Sequence, residues 1–127
     1  MVTLKNLFIL NTLVALSYGC GALLFPAWVM SSYGLTLNAA GELMTRFYGA
    51  ELIAHGWMTW FIRNASASPT RTAILSSRCI GNAIRTGVAL AFMASGQADA
   101  RGWLIIALFA FFALAYAYFW RARPDAD

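Results

Sequence analysis

The chain has 127 residues, 61% of them hydrophobic and 11% charged. A soluble domain carries about 25% charged residues, so this composition excludes an ordinary soluble domain and points to a membrane protein. The net charge of +4 does not indicate a nucleic-acid binder, because the cations are spread along the chain and form no basic patch outside the apolar segments.

Residues 6–41 contain no charged side chain, and neither do residues 102–120. A hydrocarbon core of ~30 Å needs ~20 helical residues, so each run is long enough to cross it. The first predicted helix covers residues 6–29, with Pro26 near its end, where few backbone bonds are lost. It reads as a retained helix and not a signal peptide: Leu23, Leu24 and Phe25 extend the apolar core, and Ser17, Tyr18 and Gly19 before Cys20 make a poor lipoprotein site. Residues 31–41 form a turn-rich loop, in which Asn38 is placed to help start the second helix, residues 43–62. Residues 63–72 are the clearest linker, with small polar residues and Pro69. The third helix covers 74–94, residues 95–101 connect it to the fourth, 102–120, and a short charged tail follows.

With four spans, both termini and the 63–72 linker share one side. That side carries Lys5, Arg63, Arg71, Arg121 and Arg123, with Arg78 close to it, against Arg46 and Arg101 on the other. The excess of cations puts it in the cytoplasm. Asn64-Ala65-Ser66 matches a glycosylation triplet but falls on this inner side. Trp57, Trp60 and Trp120 lie towards the inner boundary, and Trp28, Tyr33 and Trp103 towards the outer one, where amphipathic rings are favoured. The expected fold is all-α: a single integral-membrane four-helix bundle in a bacterial inner membrane, multi-pass, with both termini cytoplasmic.

The polar residues inside the spans are the functional pointers. A charge near a bilayer centre costs ~2.5–3.5 kcal/mol on insertion scales, so such groups face protein or water and find partners. Glu51 and His55 are four apart in the second helix, and Arg78, Asn82 and Arg85 follow i, i+4, i+7 spacing in the third. A short linker makes the two helices antiparallel neighbours, and equal counting from their inner ends places Glu51 level with Arg85. The expected buried polar cluster is therefore Glu51, His55, Arg78, Asn82 and Arg85. In it Glu51 pairs with Arg85, and His55 bonds Asn82 or Glu51. The cluster serves as a helix-register device, an ion relay, an anionic-headgroup site at Arg78 and Arg85, or a cofactor site with His55 as ligand.

No catalytic pattern is present. The chain lacks HExxH, CxxC, a phosphate-cradling glycine loop and a plausible Ser-His-Asp set. Its one His rules out bis-His haem. Cys20 and Cys79 should lie about 13 Å apart in depth at 1.5 Å per residue, too far for a disulfide, and are expected as buried free thiols. Small residues recur at four-residue spacing at Ala15 and Gly19, at Ala50 and Ala54, and at Ala83, Gly87 and Ala91. Such rows let helices approach closely in lipid. The fourth helix is ringed by Phe109, Phe111, Phe112, Tyr116, Tyr118 and Phe119, and is expected to meet lipid or another membrane protein.

The run LLFPAWVMSSYGLTLN followed by LMTRFYGAELIAHGWMTWFIRN resembles the first hairpin of small four-helix bacterial membrane proteins of the broad DoxX-like grouping. The shared elements are Phe25-Pro26 before a loop, Tyr33-Gly34-Leu35 in it, and Arg46-Phe47-Tyr48-Gly49 opening the second helix. By residues the likeness spans Leu23 to Asn64. It implies a bacterial inner-membrane location and a subunit-like role, some relatives being subunits of assemblies for respiratory quinone-linked oxidation, and it carries over no catalytic residue.

The first expectation is thus a non-catalytic accessory or scaffolding subunit of a larger inner-membrane complex, respiratory or photosynthetic. The alternatives are a small oligomeric transporter or ion pathway using Glu51 and Arg85, and a quinone-, haem- or chlorophyll-type pigment binder using His55. The sequence requires no cofactor. Expected partners are the lipid bilayer, other integral membrane proteins and, for transport, further copies of the chain.

Overall fold

The computed structural model describes residues 3–121; Arg123 and the other tail residues after Arg121 lie outside them. Among the described residues there are five α-helices and no strand: α1 (Leu4–Leu24), α2 (Pro26–Ser31), α3 (Ala39–Ile62), α4 (Pro69–Ala94) and α5 (Gly102–Arg121). Two of them, α1 and α5, are long and apolar enough to cross a membrane, where four spans were expected. The polar and charged residues within α3 and α4, and the low hydropathy of Trp and Tyr in α3, keep those two helices below that measure.

Local chemistry sets the helix ends. α1 starts behind Thr3, whose side chain accepts from the Asn6 amide. It stops before Pro26, which has no N–H and would clash with the carbonyl four residues back. Pro26 instead opens α2, a position where its fixed φ suits a helix start. The single helix expected over 6–29 is therefore two. α3 begins four residues earlier than expected because Asn38 Oδ1 accepts from the Gly41 amide at 2.8 Å. α4 begins at Pro69 and not at 74, since Ser68 caps the Arg71 amide at 3.2 Å and Pro69 occupies the first turn.

Two hairpin-like pairs build the molecule. α3 packs along α1, α4 packs along α5, and the pairs meet where α1 touches α5. Although consecutive, α3 and α4 do not pack along each other, which corrects the expected adjacency. The cause is a glycine crossing. A Cβ on Gly49 would lie 2.7 Å from the Leu23 nitrogen and 2.8 Å from the Gly19 carbonyl oxygen, so α1 and α3 touch backbone to backbone there. Two helix turns away, Thr12 Oγ1 sits 2.9 Å from Thr59 Oγ1 and 3.2 Å from the Gly56 carbonyl oxygen, all buried. Thr12→Val should weaken this lock by about 0.6 kcal/mol, the usual interhelical polar contribution in membrane bundles. Equilibrium unfolding in mild detergent measures it.

The seam uses Gly19 as expected, with Thr12 beside it, and α3 contributes Gly49, Gly56 and Thr59 to it. Ala50, Ala54, Ala83, Gly87 and Ala91 all face outward. The aromatic helix is also two-sided. Phe112, Tyr116 and Phe119 are buried in a core with Leu4, Leu7, Phe8 and Leu75, whereas Phe111 and Tyr118 are exposed. Both cysteines are free. Cys79 packs against that core, but Cys20 is exposed, contrary to expectation.

At the opposite end the loops before α3 and α5 are clasped together. Arg101 Nη2 donates to Asp99 Oδ2 at 2.6 Å, and Nη1 donates to the Ser31 carbonyl oxygen at 3.2 Å. Gly34 takes the left-handed conformation (φ 78°), and a Cβ on it would collide with the Asp99 carboxylate. Hydrogen bonds from the Arg101 side chain, then from its backbone amide, hold the Asp99 carboxyl below its ordinary range. A depressed pKa means the clasp is complete at neutral pH and is lost as pH falls through the lowered value. The carboxyl-carbon NMR titration of Asp99 should have its midpoint below the ~3.9 of free aspartate; a midpoint at or above it would show the clasp is not formed.

Candidate functional site

Because α3 turns to α1 and α4 turns to α5, the polar face of α4 is left looking into a gap between the two pairs. A cavity of about 70 Å³ occupies it. The i, i+4, i+7 pattern works as expected on α4: Arg78, Asn82 and Arg85 all line this space, and His55 lines it from α3. Asn11 of α1 also contributes, together with Tyr18, Tyr33 and Tyr48. The remaining wall is apolar and includes Leu108, Phe109 and Phe112 of α5.

Glu51 is not part of the cluster. It is exposed on α3, does not line the cavity, and makes no ion pair among the described residues. The expected Glu51–Arg85 pair is therefore absent. The physical reason is the rotation of α3. The glycine crossing presents Gly49, Gly56 and Thr59 to α1, which leaves Tyr48, Leu52 and His55 facing the cavity. Glu51, roughly 40° round the helix from His55, is left outside that face. The expected His55 hydrogen bond is also missing among the described residues, since the Asn82 amide donates to the Arg78 carbonyl oxygen at 2.8 Å.

Arg85 instead lies between aromatic rings, its guanidinium carbon 5.8 Å from the Tyr48 centroid and 5.9 Å from that of Phe109. These distances fall within the ~6 Å reach of a cation–π contact. A Cβ on Gly81 would meet Arg85 Nη1 at 3.7 Å, so the side chain folds back one turn towards Arg78.

Arg78 is the least satisfied group. It is 7% exposed, and its Nε and Nη2 are buried without a hydrogen-bond partner. Beside it the Tyr116 hydroxyl, on a fully buried side chain, is also unpartnered, as is Asn11 Oδ1. The cavity wall holds two guanidinium groups and, among the described residues, no carboxylate. Breaking a buried ion pair costs ~3–5 kcal/mol because one charge is left uncompensated, and Arg78 stands in that position. Such a site can receive hydrogen-bond acceptors, above all an anion that takes two parallel N–H donors from one guanidinium. Among the described residues no group of three or more His, Cys, Asp or Glu side chains could hold a metal ion.

Asn11 and Tyr116 were not anticipated. Asn11 was detectable as a side-chain amide deep in a charge-free helix. Tyr116 had no signal separating it from the other rings of α5.

The chain belongs to the family described as a domain of unknown function (DUF8292), whose model matches residues 1–120. No curated protein matches the chain. No solved structure matches it either.

Proposed function

We propose that this protein is a four-helix membrane bundle that binds the anionic headgroup of a membrane amphiphile between its two helix pairs. The observation that carries this reading is Arg78: buried, charged, with two unpartnered N–H groups, on the wall of a cavity that has a second arginine and no acid. An anion there would supply the missing acceptors, and the apolar remainder of the wall suits a ligand that is not wholly polar.

Membrane placement has separate support. α1 and α5 have the length and apolarity of spans. On α3 and α4, Phe47, Trp57, Phe61, Ile80, Ile84, Val88 and Phe92 are exposed, large apolar side chains suited to lipid or a membrane partner. The arginines that lower the hydropathy of α4 point inward, so its outer face is compatible with lipid. The positive-inside bias supports cytoplasmic termini, and the resemblance of Leu23 to Asn64 to the DoxX-like grouping supports a bacterial inner membrane.

The test is native mass spectrometry of protein extracted from its own membranes in gentle detergent. Wild type should carry a one-to-one anionic amphiphile, and Arg78→Gln should lose it. An equal adduct on both proteins would refute the headgroup site.

A second reading, the accessory subunit, is favoured by Glu51. In lipid, an exposed carboxylate among Phe47, Trp57 and Met58 would cost ~2.5–3.5 kcal/mol, so this face of α3 is where a membrane partner with a cation would dock. A photo-crosslinker at Ala54 should capture one discrete membrane protein in cells; crosslinks to lipid alone would remove this reading.

A further inference from the structure

A second cavity, of about 370 Å³, continues from the first. The two share Arg85, Tyr48, Ile105 and Phe109 on their walls, so Arg85 stands at their junction. Beyond it the wall is almost wholly apolar, with Ala89 and Phe92 contributed by α4 and Gly102 and Ile105 by α5. On the other side Ile84 and Val88, 61% and 65% exposed, open it to the outside. The opening lies where α3 and α4 fail to pack. A volume of this size belongs with the ~300–1,000 Å³ of small-molecule sites.

We infer that this second cavity holds the hydrocarbon chain of the amphiphile whose headgroup lies at Arg78 and Arg85. The ligand is then a single-chain lipid anion, a carboxylate or phosphate, that enters sideways through the slot between α3 and α4. The inference rests on the headgroup reading above. The charged cavity is small, with room for a headgroup but not for a chain, and its apolar continuation starts at the second arginine. Lipid is as apolar as the cavity, so the chain gains nothing by leaving water. It gains by filling space that the helices leave unpacked, where dispersion contacts are otherwise missing. In the proposed topology the headgroup points towards the cytoplasmic side and the chain outward, the orientation of an inner-leaflet lipid drawn into the protein.

The test uses the full chain in phosphatidylcholine nanodiscs, titrated with butyl phosphate and dodecyl phosphate, or with butyrate and dodecanoate, and read as one-to-one adducts by native mass spectrometry. Ala89→Phe fills the second cavity and leaves the arginines alone. It should lower the dodecyl phosphate adduct about tenfold, the equivalent of ~1.4 kcal/mol, and leave the butyl phosphate adduct unchanged. Ala89→Leu, a smaller filling, should fall between. Dodecyl phosphate binding to both variants as to wild type would overturn the chain site while leaving the headgroup site standing. Failure of all four probes on wild type would overturn both. Preference between the phosphate and carboxylate pairs identifies the headgroup.

Discussion

Gly49→Val is expected to destabilise the protein by about 3 kcal/mol, the upper end of the usual cost of overpacking. The atoms in the way are backbone: the Leu23 nitrogen, the Gly19 carbonyl oxygen and, at 3.1 Å, the Ala22 carbonyl carbon. No rotamer change relieves such a clash, so α1 and α3 must separate. Gly87→Ala is the control. Nothing lies within 4 Å of a Cβ there, and alanine removes up to ~1 kcal/mol of helix-propensity penalty, so it should be neutral or stabilising. Unfolding of both variants by denaturant in the same detergent measures the difference. A Gly49→Val protein as stable as wild type would show that the two helices do not cross there.

Arg78→Met should raise the thermal stability of delipidated protein and abolish its response to ligand. Replacing buried ionic groups by apolar side chains of similar volume is often stabilising by ~1–4 kcal/mol, and Arg78 is a buried charge with no acid lining its cavity. Wild type should gain stability on adding dodecyl phosphate, about 2.7 kcal/mol at a hundredfold excess over Kd; the variant should gain none. Melting curves of both proteins with and without the amphiphile read the two effects separately. A less stable Arg78→Met protein would mean that the guanidinium is satisfied by the fold itself.

The long helices could be read from the chain because charge-free runs and polar linkers mark them. Their pairing could not. Adjacency was inferred from the short linker between α3 and α4, but Gly19 and Gly49 let α1 and α3 come closer than larger side chains allow, and that contact takes α3 away from α4. The same event decides Glu51. Spacing placed it beside His55, but spacing cannot say which edge of a helix face turns inward, and a rotation set by the glycines left the carboxylate outside. Arg78, Asn82 and Arg85 were legible because all three share one face of α4 and polar groups collect on the buried side. Tyr116 needed three dimensions: nothing along α5 separates its hydroxyl from the other rings, and only the folded structure leaves it buried without a partner.

Everything proposed for the cavity depends on an anionic amphiphile compensating Arg78. Crystals grown from a lipidic mesophase, without removal of native lipid, test it most directly. The electron density should show one elongated feature, with its polar end within hydrogen-bonding distance of Arg78 Nε and Nη2 and its chain running past Arg85 between Ala89 and Phe109. Ordered waters alone around Arg78, or a Glu51 carboxylate turned inward onto Arg85, would contradict it.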